Sequence, residues 1–131
     1  MKTNTANTTL DNFVKSYLAT AAWVSFDGGK AEFPKSSKEI AKADCKKFIA
    51  AVYKEFTVNE AEAILTYQGS DLTSLAGHDF FLTRNGHGVG FWDKDIYNTL
   101  ANNGGDILTK LARQMGESNC YRVKGGWVYF D

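Results

Sequence analysis

Three short strings hold the side chains whose types and spacing could do chemistry. In Asn85-Gly86-His87-Gly88, glycines flank a histidine and would expose its imidazole on a mobile loop, which suits acid–base work or metal ligation. The same string has a plainer reading, a tight turn made by Asn85 and Gly86 with His87 carried along in solvent. The second group is His78 and Asp79 with Asp93 and Asp95. Pairing across a hairpin would bring His78 near Asp93, and such a pair can orient a general base or serve equally well as a structural ion pair at the hairpin's open end. The third string is C-terminal, where Arg122, Lys124, Trp127 and Tyr129 interleave cations with aromatics. That is the composition of a base-stacking platform and also of a protein hot spot. Alternatively this face covers the N-terminal helices, with Arg122 and Lys124 reaching past it to water.

Other chemistries have little to build from. The chain contains no GxGxxG between a strand and a helix, no Walker A and no HExxH, so neither nucleotide binding nor zincin chemistry has motif support. Two histidines are thin material for a metal site, which wants three or four ligands. No residue is assigned a catalytic or metal-ligating role, and no cofactor is expected. Lys38, Lys42, Lys46 and Lys47 could form a basic stripe, but Glu39 and Asp44 interrupt it and a solvated face explains it as well.

The elements that must position these groups follow from composition and period. With 131 residues the chain is one domain's worth, and 14% aromatic residues exclude wholesale disorder. Fifteen basic side chains balance fifteen acidic ones, which argues against a polyanion binder that works by bulk charge. Cys45 and Cys120 belong to no CxxC or Cys/His cluster and read as free thiols of a reducing compartment. The polar start has no apolar core of a secretory signal, and no apolar run is long enough to span a bilayer. A cytoplasmic protein is expected, with a polar tail over 1–8 and a single domain over 9–131.

Leu10, Phe13, Val14, Tyr17, Leu18 and Ala21 mark one face of a first helix, capped by Thr8 or Thr9. Ser36 to Glu39 reads as a capping box for a second helix with Ala41, Cys45, Phe48, Ile49, Val52 and Phe56 inward. Thr57 to Glu60 caps a third, which ends near Tyr67. Past residue 77 the apolar period shortens, and Asn85-Gly86 between two apolar runs predicts a β-hairpin over 78–92 with Phe80, Leu82, Val89 and Phe91 facing the core. In that register Phe81 lies opposite Gly90, whose missing side chain makes room for the ring. A helical turn around Ile96 to Leu100 follows, then a helix capped by Asp106 and stopped by Gly116. A second hairpin closes the chain, with Tyr121, Val123, Val128 and Phe130 on one face and Arg122, Lys124, Trp127 and Tyr129 on the other. The fold class is α+β: N-terminal helices, then hairpin–helix–hairpin, with both hairpins in one antiparallel sheet and helices packed on it.

The stretch Ala76-Gly77-His78-Asp79-Phe80-Phe81-Leu82-Thr83-Arg84-Asn85-Gly86-His87-Gly88-Val89-Gly90-Phe91-Trp92-Asp93 resembles a family of short tailed-bacteriophage and prophage proteins carrying an AGHDFWLTRNGHGAGFWDR-like segment. Gly105, Leu108-Thr109, Ala112, Gly116 and Tyr121 are similar in spacing, as are Phe13 to Leu18 and Ala22-Trp23 upstream. Phe81 stands where tryptophan is usual, and Lys94 where arginine is usual. The resemblance implies a phage accessory protein acting in bacterial cytoplasm and carries no assigned activity. The reading is therefore a non-enzymatic protein that binds a host or phage macromolecule, in host takeover or against host defence. Its binding residues would be Arg84, Asn85, His87, Gly88, Trp92, Arg122, Lys124, Trp127 and Tyr129. Two alternatives stand beside it. One is a binder of single-stranded or structured nucleic acid, with Trp92, Trp127 and Tyr129 stacking and Arg84, Arg122 and Lys124 on phosphates. The other is a small hydrolase or metal-dependent enzyme using His78, Asp79, His87 and Asp93.

Overall fold

A computed structural model describes residues 2–25, 32–70, 72–123 and 127–130. Six helices precede one short strand pair: α1 (Lys2–Ser25), α2 (Lys35–Glu55), α3 (Val58–Thr66), α4 (Leu75–Arg84), α5 (Asp95–Leu100), α6 (Gly104–Gln114), β1 (Cys120–Arg122) and β2 (Val128–Phe130). A 3-10 turn, Phe91–Asp93, lies between α4 and α5. The α+β class is as the sequence predicts, helices first and an antiparallel hairpin last. No helix is long and apolar enough to cross a membrane among the described residues.

The inward stripes of α1 and α2 are those read from the 3.6-residue period. Phe13, Tyr17 and Ala21 of α1 and Ala41, Cys45, Phe48 and Val52 of α2 are buried, while Leu10, Val14, Leu18 and Ile49 pack at their margins. Several caps differ. α1 begins at Lys2, ahead of the cap expected at Thr8 or Thr9. α2 begins directly after Pro34, so Ser36 already lies inside its first turn and no side chain caps it. α6 starts at Gly104 after Asn103, whose backbone is left-handed, and Asp106 sits within the first turn. The Thr57–Glu60 capping box forms as expected, with both reciprocal bonds present at 3.0 and 3.2 Å.

The hairpin expected over 78–92 is instead helix α4. Ser74 caps it by accepting from the Gly77 backbone N–H at 3.1 Å. Gly86 stops it at φ +72°, with His87 N–H bonded to the Leu82 carbonyl and Gly86 N–H to that of Thr83. That pair of bonds is a Schellman cap, which needs the same positive φ as a two-residue hairpin turn. α4 is the central helix, and every residue from Asp79 to Arg84 is buried. A helix buried all round has no polar face, so no 3.6-residue period could show. Phe80 stacks on Phe48 with centroids 4.2 Å apart, and Phe91 on Phe48 at 5.7 Å, at the centre of the core.

Only the C-terminal hairpin is β among the described residues, a single two-stranded sheet that packs on α1 and α2. Its register pairs Cys120 with Phe130, Tyr121 with Tyr129 and Arg122 with Val128. Tyr121 therefore shares a face with Tyr129 rather than with Val128 and Phe130, a correction to the face assignment. The alternation is displaced because Val128 and Phe130, both buried, meet the helices while Tyr121 remains exposed.

Candidate functional site

The residues singled out in the 84–93 segment divide between architecture and surface. Arg84 is buried, not poised for phosphate. Its Nη1 donates to Asp44 Oδ2 at 2.8 Å and to the Tyr17 hydroxyl at 3.2 Å, and its Nε donates to the Gly116 carbonyl at 2.8 Å. It also lies over the Phe80 ring. One side chain thus ties α4 to α1, α2 and the C-terminal end of α6, where a cation suits the helix dipole. Asn85 likewise spends its amide: Nδ2 donates to the Phe81 carbonyl at 3.0 Å and Oδ1 accepts from Ser118 N–H at 2.8 Å. This sets the Gly86-His87 turn beside the chain that leads into β1.

His87 is half-buried against Phe81, ring to ring at 6.0 Å. Gly88 and Val89 are exposed, and a Cβ built at Gly88 would meet nothing within 4 Å. Gly90 is different. A Cβ there would collide with Thr83 Oγ1 and the Trp92 indole, not with Phe81 as the hairpin register predicts. Trp92 is partly exposed, with the Arg113 guanidinium of α6 5.4 Å from its ring centroid.

His78 pairs with Asp79, its neighbour in the chain, and not with Asp93, which the expected hairpin would have brought opposite it. His78 Nδ1 lies 3.1 Å from Asp79 Oδ1. Asp79 is fully buried and also accepts from Lys94 Nζ at 2.9 Å and from the Tyr97 hydroxyl at 2.6 Å. Burial pushes its carboxyl up, but hydrogen bonds from His78, Tyr97 and Lys94 outweigh that and hold it below the ordinary range. Burial, with Asp79 nearby, pushes the Tyr97 phenol far above its usual range. Asp93 stays at the rim, accepting from Gly90 N–H at 3.0 Å and lying 3.6 Å from Lys94. His87, Asp93 and Asp95 do not join the pair: among the described residues no three His, Cys, Asp or Glu gather where they could hold a metal ion. Two of the hydroxyl side chains that line a cavity with His78, Ser16 and Thr20, donate to the carbonyls of Ser74 and Ser16.

At the C-terminus the aromatics expected on the surface are there. Trp127 is 44% exposed and Tyr129 half-buried, with the Tyr129 ring stacked on Tyr121 at 5.9 Å and 26°. Lys124 lies outside the described residues. Arg122 pairs in the register with buried Val128, not on the Trp127 and Tyr129 face expected for it. Sequence reasoning missed Tyr121 on this face, and missed Lys94 and Tyr97 as partners of Asp79. The signal for the latter pair was a carboxylate set directly against the apolar run Phe80-Phe81-Leu82, which once buried demands donors from elsewhere in the chain. Compared with protein-family models, curated proteins and solved structures, the chain matches none.

Proposed function

We propose that the protein is a phage accessory protein that works by binding rather than catalysis, with a host or phage protein as its partner in bacterial cytoplasm. The contact surface in this reading is the outer face of the C-terminal hairpin, extended by the Gly86–Val89 turn. The observation that carries it is the aromatic face itself. Tyr121 and Tyr129 stack across the strands while Tyr121 and Trp127 remain half exposed, at 50% and 44%. Tyrosine and tryptophan on a rigid ribbon offer large contact area at low entropic cost, the composition of interface hot spots. The test compares capture of partner protein from bacterial lysate by the wild-type chain and by Tyr121→Ser with Trp127→Ser. Loss of a stoichiometric partner from the double variant, with unchanged thermal midpoint, is expected. Equal capture by both would remove the hairpin from the site.

The same stacked rings favour a second reading, a single-stranded nucleic acid laid across Tyr121, Trp127 and Tyr129. Affinity for a labelled oligonucleotide that falls steeply with salt supports it. Zero net charge weighs on the protein side.

A further inference from the structure

On α1, Ser16, Ala19, Thr20 and Trp23 fall at i, i+3, i+4 and i+7, and with Thr73 and His78 they line a cavity of about 410 Å³ between α1 and α4. The indole of Trp23 is 67% exposed at this cavity. The hydroxyls of Ser16 and Thr20 have one character. Ser16 gives its only hydroxyl proton to the Ser74 carbonyl at 2.6 Å, and Thr20 gives its own to the Ser16 carbonyl at 2.8 Å. What each hydroxyl keeps for a ligand is lone pairs.

His78 has the same polarity. Its Nδ1 lies 3.1 Å from Asp79 Oδ1, and the tautomer that bonds this carboxylate carries its proton on Nδ1 and leaves Nε2 as an acceptor. Apart from His78 itself, no basic side chain is among the described residues that line it. A site that offers acceptors and an indole face, beside a group in which the carboxylates of Asp79 and Asp93 share the one ammonium of Lys94, selects a ligand rich in N–H donors and positive charge. Tryptophan is the strongest of the aromatic faces for a cation.

We propose that Trp23, His78 and the hydroxyls of Ser16 and Thr20 form a binding site for an organic cation, a guanidinium or alkylammonium group. Its source is either an arginine or lysine side chain of a polypeptide or a free polyamine. The site uses none of the hairpin residues, so it stands or falls independently of the partner surface above.

The test follows the Trp23 indole N–H signal by NMR, assigned through its loss in Trp23→Phe, during titration with N-acetyl-arginine amide, spermidine or N-acetyl-citrulline amide. Citrulline keeps the planar shape and loses the charge. A saturable shift with a cation is expected, weaker by about tenfold or more for citrulline amide and for the His78→Lys variant. His78→Gln retains a neutral acceptor and should retain binding, which separates loss of the acceptor from damage to the fold. Saturation by arginine amide assigns the site to a side chain, and saturation by spermidine alone assigns it to a polyamine. Absence of a saturable shift with both cations overturns the proposal, as does equal binding of citrulline amide.

Discussion

The guanidinium of Arg84 and the carboxylate of Asp44, 40 residues apart in sequence, meet at 2.8 Å with the arginine side chain only 3% exposed. The pair holds α2 against α4 and leaves Arg84 free to cap the last turn of α6 through the Gly116 carbonyl. Arg84→Met would strand the Asp44 carboxylate and the carbonyls of Gly116 and Met115, at a cost of about 3–5 kcal/mol. Arg84→Lys keeps the charge but cannot serve Asp44, Tyr17 and Gly116 together, and should recover less than half of that loss. Denaturant unfolding of the two variants checks both; near-native stability of Arg84→Met would show that the network contributes no net stability.

Asp79 makes stability depend on pH in the acid range. Its carboxyl is depressed in the folded chain relative to the unfolded one. The stabilisation is therefore fully present above the unfolded value, about 3.9, and is lost as pH falls through the lower folded value. Asp79→Asn should remove that slope and cost roughly 2–3 kcal/mol at neutral pH, since Lys94 and Tyr97 lose a charged acceptor. Midpoints measured between pH 2 and 7 decide the matter: parallel curves for the two proteins would show that another carboxylate carries the acid sensitivity.

The amphipathic helices were legible because one face of each meets water. α1, α2 and α6 show their apolar stripes directly in the sequence, and Gly116 stops α6 as expected at φ +77°. Helix α4 was not legible for the opposite reason. With Phe80, Phe81, Leu82, Thr83 and Arg84 all buried, no periodicity survives, and Asn85-Gly86 signals a Schellman cap and a hairpin turn equally well. The same error displaced the candidate site. Arg84, read as a surface cation on a strand, is an interior tie between helices, whereas Trp127 and Tyr129 emerged on the expected face because the two-residue period over 127–130 was genuine.

Cys45 reports on the same network. It is fully buried, and burial, reinforced by the Asp44 carboxylate, pushes its thiol far above the ordinary range against the pull of Arg84. At pH 8 its alkylation should proceed only through unfolding, much later than that of half-buried Cys120. Arg84→Met should accelerate it in proportion to the lost stability. Rapid labelling of Cys45 in the native wild-type chain would contradict the buried position.

The three glycines of the 86–90 segment make a graded series. Gly86 holds the left-handed position of the α4 cap, so Gly86→Ala should cost about 1–2 kcal/mol. At Gly90 the constraint is space, because a methyl group would lie 2.5 Å from the Trp92 ring and against the Thr83 hydroxyl that accepts from Phe91 N–H. Gly90→Ala should therefore cost about 1–3 kcal/mol and shift the Trp92 fluorescence. Gly88 faces neither demand: its backbone is not left-handed, and a Cβ there meets open space. Gly88→Ala should leave stability within about 0.5 kcal/mol of wild type while weakening capture of the partner, since the methyl group would stand where the partner's backbone approaches. Unfolding midpoints and partner capture, measured on all three, separate the roles. If Gly88→Ala captures the partner as well as wild type, the turn lies outside the contact and the hairpin face alone forms the surface.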